Sequence, residues 1–108
     1  MDDTTVQGSK ASKGMVRGVA RVITNPANMD SLQEGEILVT YMTDPDYVPL
    51  MRRAGGIVTE IGGRLCHAAI VARELGVPAV VKLEGAMLLL NGKDITVNGD
   101  TGEVTIHG

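Results

Sequence analysis

The stretch Gly62-Gly63-Arg64-Leu65-Cys66-His67-Ala68-Ala69 holds the residues of this 108-residue chain whose types and spacing could do chemistry. A strand-like run, Gly56-Ile57-Val58-Thr59, leads into two glycines, and a histidine then opens a short apolar helix. Good helix formers over 68–75, a glycine at position 76 where a left-handed residue is wanted, and Pro78 two residues later define the far end of that helix. Counting back puts His67 at or beside the N-cap. The first-turn N–H groups, including those of Ala68 and Ala69, have no intrahelical acceptor and can bind an anion. The helix dipole disfavours an imidazolium there, so the ring is expected to be neutral and nucleophilic. The same N–H groups would stabilise a phosphoryl group once the ring had accepted one. Gly62 and Gly63 would let the backbone approach a bulky anion without a Cβ in the way. Spacing alone leaves two readings open, because a histidine at a helix N-terminus can equally be a surface or capping residue.

Other chemistries fit less well. Adjacent Cys66 and His67 point in divergent directions as they enter a helix, which disfavours a hydrolytic dyad. A zinc site would need two further ligands, and the second histidine is His107, next to the C-terminus. No metal is therefore expected to be held by this chain. A thiol enzyme built on Cys66 would want cations close by, and only Arg64 is evident. The glycines match neither a dinucleotide-binding fingerprint nor a P-loop. Asp44 and Asp46 read as a helix cap rather than a metal pair. Arg52-Arg53 reads as cations at a helix C-terminus, Arg73 and Glu74 as surface or loop-pinning charges, and the methionines as gap-fillers.

The elements that must position this stretch alternate. Residues 1–13 are polar and aperiodic and read as a flexible tail or linker. Met15–Ile23 alternates with both arginines on one side, as a half-exposed strand does. Glu36–Met42 is continuously apolar at its centre, as a buried strand is. A helix begins near Asp46, with Pro49 in its first turn, and ends at Gly55-Gly56. Ile57–Thr59 is a buried strand, and the His67 helix follows with Ile70, Val71 and Leu75 as its inward stripe. Ala79–Val81 is the next strand, a helix or turn covers 83–90, and a hairpin over 95–106 closes the chain. The fold class is α/β, a mixed sheet with a parallel βαβ core and packed helices. A net charge of −3 and pI near 5.2 argue against a nucleic-acid or anionic-membrane surface. One cysteine and no visible signal peptide suit a cytoplasmic setting.

The run from Ile57 to Val81, with its Gly-Gly-x-x-x-His-Ala-Ala core, resembles the phosphohistidine motif of the phosphoenolpyruvate (PEP)-utilising enzymes. Gly35–Asp46 is similar to the PEP synthase group, and Ala11–Gly14 and Asn98–Val104 resemble the two ends of the mobile domain. The resemblance implies a swivelling β/β/α domain over 14–108. It implies that His67 is the phosphoacceptor, through Nε2, with Gly62, Gly63, Ala68 and Ala69 cradling the phosphoryl group and Thr59, Arg64 and Cys66 beside it. It further implies an ATP-grasp partner domain that uses ATP and magnesium, and a TIM-barrel partner domain that binds PEP or pyruvate. No cofactor is then bound by this domain itself.

Leu65 departs from the family pattern. Many synthases and dikinases carry a regulatory threonine two residues before the histidine, and leucine cannot be phosphorylated. That leaves room for the carrier domain of a rifampin-phosphotransferase-like enzyme, or for a non-catalytic interaction module on the same scaffold.

Overall fold

A computed structural model describes residues 2–108. Eight strands, β1 (Thr4–Gln7), β2 (Ser9–Ser12), β3 (Met15–Val22), β4 (Ile37–Thr40), β5 (Gly56–Thr59), β6 (Ala79–Val81), β7 (Asp94–Asn98) and β8 (Glu103–Ile106), carry three helices, α1 (Val48–Arg53), α2 (His67–Leu75) and α3 (Ala86–Leu90). The spatial order is β1-β8-β7-β3-β4-β5-β6-β2. Strands β3 to β6 pair in parallel, whereas β7, β8, β1 and β2 join antiparallel. The expected mixed sheet with a parallel core is present.

Residues 4–12 correct the reading of the N-terminal segment as a tail. Thr4–Gln7 pairs with β8, and Ser9–Ser12 pairs with β6 at the opposite end of the strand order. Gly8 alone separates the two strands, so the sheet closes on itself through one kinked segment. A Cβ at Gly8 would lie 2.6 Å from Val80 Cγ1 and 2.8 Å from the Val81 carbonyl oxygen, so the kink requires glycine. The segment's polar side chains face outward, and backbone pairing rather than apolar burial holds most of it. Ala11 and Ser12 are the exceptions and are buried.

β4, β5 and β6 are buried on both faces, which explains their unbroken apolar character. Leu38, Ile57, Ala79 and Val81 point to the layer made by α1 and α2, where Leu50, Met51, Ala68, Ala69 and Ala72 meet them. Ile37, Val39, Val58 and Val80 point the other way, to Ile95, Val97, Val104 and Leu90. Truncating a side chain such as Leu38 to alanine would cost about 2–5 kcal/mol.

The helix ends follow local chemistry. Asp44 caps the 3₁₀ turn Pro45–Tyr47 that leads into α1, its Oδ1 accepting from the Asp46 N–H at 2.9 Å. Pro49 falls in the first turn of α1. Arg52 and Arg53 lie in its last turn, and Arg53 donates to the Met29 and Leu32 carbonyls, stapling the β3–β4 connection.

Two predictions follow from these contacts. Deleting residues 2–12 should abolish the cooperative urea-unfolding transition, since it opens both seams of the sheet; an unchanged midpoint would make the segment an appendage after all. At the β7 rim, Asp94 is held below the usual carboxylate range by its hydrogen bond and ion pair with Arg17. A depressed folded value stabilises above the unfolded value near 3.8 and fades as pH falls below it. The urea midpoint of Asp94→Asn should therefore lie below that of the parent at neutral pH, and the two should converge as pH falls through the depressed folded value of Asp94.

Candidate functional site

Parallel pairing brings the loops that follow β4 and β5 to the same edge of the sheet. The two loops are joined by backbone hydrogen bonds, from the N–H groups of Glu60 and Ile61 to the Tyr41 carbonyl and from Glu60 to Thr40. The first loop carries Thr43 and the second carries His67. Thr43 Oγ1 lies 2.8 Å from His67 Nδ1, and Thr43 is buried. Two tautomers satisfy that contact: Nδ1–H donating to the hydroxyl, or the hydroxyl donating to a bare Nδ1. Either way Nδ1 is occupied, and Nε2 is the ring nitrogen left for other work.

His67 is the first residue of α2, and Cys66, with extended backbone, is the N-cap. No side chain caps this end, so the N–H groups of His67, Ala68 and Ala69 stand free of intrahelical acceptors, while Ile70 N–H begins the helical ladder on the Cys66 carbonyl. The far end stops as expected, with Gly76 left-handed at φ 71°. The inward face differs from the expected Ile70, Val71 and Leu75 stripe. Ala68, Ala69 and Ala72 are buried, Val71 and Leu75 are half-buried, and Ile70 is exposed. Alanines let the helix backbone lie close on β2, β5 and β6, and a bulkier face would push its N-terminus off the sheet edge.

Gly62 is held at φ 128°, where a Cβ would also come 2.8 Å from Cys66 Sγ. Glycine is therefore required there by the turn itself. Gly63 is different, because a Cβ would meet nothing within 4 Å. Thr59 spends its hydroxyl on the Ile61 carbonyl at 2.7 Å and so shapes the turn from inside without reaching the imidazole. Cys66 lines, with His67, Ala68, Gly62, Ile61, Met42 and Thr43, a small cavity of about 120 Å³. Arg64 and Leu65 are exposed beyond its rim, Leu65 at 84%. Arg73 pins this loop, its guanidinium donating to the Arg64 carbonyl at 2.7 Å and to the Ala11 carbonyl at 2.8 Å.

Thr43 is the site residue that sequence reasoning missed. The signal available was a hydroxyl residue just past a buried parallel strand, at the strand edge where such sheets place their sites. His107 stands apart from His67, its ring nitrogens engaged with Thr96 and Asp3. Among the described residues no helix is long and apolar enough to cross a membrane.

The cavity's Nδ1 tether is testable. Thr43→Val should shift the His67 Nδ1 resonance in ring ¹⁵N spectra, because that nitrogen loses its partner, at a cost of about 1 kcal/mol in stability. Identical ring spectra would remove Thr43 from the site.

Known proteins are similar to this chain in sequence and fold. Residues 32–102 match the family model of the PEP-utilising enzyme mobile domain. A PEP synthase of Deinococcus radiodurans is 52% identical over 106 residues, covering 94% of this chain and 14% of that protein. A PEP synthase of Neisseria meningitidis serogroup B is 51% identical over 93% of this chain, which covers 13% of it. The NMR solution structure of an Enzyme I protein superposes with a TM-score of 0.63 at 30% identity, over 74% of this chain and 34% of that one. This chain thus spans about a seventh of the curated synthases it matches. It belongs to the family of mobile domains of PEP-utilising enzymes.

Proposed function

We propose that this domain is a phosphoryl carrier in a PEP synthase-like phosphotransferase, and that His67 Nε2 is the atom that carries the group. The observation that supports this best is the pairing of an Nδ1 tethered to Thr43 with an uncapped first turn of α2 beside the same ring.

In the productive tautomer Nδ1–H donates to Thr43 Oγ1, and the Nε2 lone pair is free. Nε2 attacks the phosphorus of a donor in line. The N–P bond forms as the P–O bond to the donor breaks, and the electron pair leaves on the donor oxygen. The phosphoryl oxygens gain the free N–H groups of Ala68 and Ala69 and the positive end of the helix dipole. Nδ1 keeps its proton throughout, so the onward step needs no proton movement on this domain. An acceptor oxygen attacks the phosphorus, the N–P bond breaks, and the ring returns as the neutral Nδ1–H tautomer. Thr43 acts as a positioning residue, because it engages Nδ1, leaves Nε2 to react and never touches the reacting atoms.

Gly62 lets the loop turn back onto Cys66, which lines the same small cavity as the ring. Arg64 extends from the same loop and would offer charge to a docked phosphate donor. In this reading ATP and magnesium belong to an ATP-grasp domain, and PEP or pyruvate to a TIM-barrel domain. The small share of the synthases that this chain covers leaves room in such proteins for both. The domain would take up a phosphoryl group from either and complete no turnover alone. With Leu65 in place of a hydroxyl residue, control by phosphorylation at that position is absent.

Presented with a nucleotide-binding partner domain and ATP, or a barrel partner domain and PEP, the chain should take up one acid-labile, alkali-stable phosphate. His67→Ala should reduce incorporation to background. Incorporation that survives in His67→Ala would overturn the assignment of the acceptor.

A further inference from the structure

On the other side of the His67 loop runs an open groove of about 840 Å³, lined by Lys10, Ala11, Ser12, Lys13, Arg64, Leu65, Arg73, Gly99 and Asp100. Four of the chain's ten Lys and Arg residues line it, against one of its thirteen Asp and Glu residues, in a chain whose net charge is −3. Among the described residues none of these four cations has a carboxylate within ion-pair distance. Asp100 is partly committed, since its Oδ1 accepts from the Gly14 N–H at 3.1 Å. Arg73 is fixed in place by the two carbonyls it binds, which leave its charge uncompensated. Leu65, 84% exposed, stands at the lip and offers an apolar anchor among the charges.

We infer that this groove docks an acidic polypeptide surface, a carboxylate-bearing segment of the domain that exchanges phosphate with His67. The inference rests on the carrier role proposed above. Charge complementarity selects the partner. Four unpaired cations on a backbone pinned by Arg73 attract carboxylates over roughly a Debye length, about 10 Å at moderate salt. Nucleic acid is disfavoured by the overall negative charge and by the lack of an aromatic platform, since both tyrosines, Tyr41 and Tyr47, lie outside the groove. A compact metabolite is disfavoured because Lys10, Lys13 and Arg64, which carry the free charge, are exposed surface side chains. Arg64 and Leu65 belong both to the groove and to the His67 loop, so a partner seated here is steered onto the reactive nitrogen. Such contacts act chiefly on the association rate.

The ¹⁵N-labelled chain titrated with an octaglutamate peptide at low salt tests this. Amide shifts should move over 10–13, 64–65 and 99–100, weaken at least tenfold in 0.5 M salt, and vanish in Lys10→Gln/Lys13→Gln. No shift at low salt, or shifts clustered elsewhere, would overturn the proposal. So would ATP or pyrophosphate binding the same residues more tightly than the peptide, which would make the groove a small-anion site. In parallel, chemical phosphorylation by phosphoramidate should modify His67 equally in the parent and in the double variant. A parent that binds the peptide but resists phosphoramidate at His67 would overturn the carrier reading and leave the groove intact. A double variant that binds the peptide as the parent does would overturn the groove alone.

Discussion

The parallel pairing of β4, β5 and β6 is the constraint on which the site depends. Parallel neighbours must leave the sheet at the same edge, so the loops after β4 and β5 emerge side by side. The Thr40–Glu60 and Tyr41–Ile61 backbone bonds then hold those loops together. Only in that setting can a threonine meet a histidine 24 residues further on. The pairing is secured by side chains buried on both faces, Leu38 and Ile57 toward the helices and Val39 and Val58 toward the closing strands. A one-residue slip would exchange these two faces, and it would also part Thr43 from His67.

The helix that carries His67 meets a second demand. In the proposed carrier role its N-terminus would have to be free of caps to receive an anion, yet be held firmly enough to keep the ring in place. The alanine face of α2 answers this by lying close on the sheet. The Gly62 turn tucks Cys66 under the loop, and Arg73 binds the loop carbonyl of Arg64 to the β2 segment at Ala11. Rigidity is thus supplied from behind the site, and the open face is left to a partner. The exposed Met42, Ile61 and Leu65 side chains around it are surfaces that a docked domain would cover to exclude water from the transfer.

Much of this could be read from residue order. The start of α2 fell within one residue of its observed place, because Gly76 and Pro78 fix the far end and helix length does the rest. The Asp44 cap, Pro49 in the first turn of α1, and the buried character of β4 and β5 follow from local rules that tertiary contacts did not overturn. Three features were not legible. Thr4–Ser12 carries no apolar alternation, since its strands are held mainly by backbone bonds to β8 and β6. Ile70 faces outward, while Ala68, Ala69 and Ala72 take the inward face of α2 with Val71 and Leu75 at its flanks. Thr43 stands beside the Asp44 cap, and its role exists only once two parallel strands are side by side.

The regiochemistry of the phosphorylated chain tests the central claim most directly. The Thr43 tether occupies Nδ1, so ¹⁵N- and ³¹P-edited spectra of the chain phosphorylated by a partner domain should show phosphorus bonded to Nε2, with Nδ1 still protonated. A phosphoryl group on Nδ1 would require the Thr43 contact to break. That result would contradict an account in which this hydrogen bond selects the reactive nitrogen.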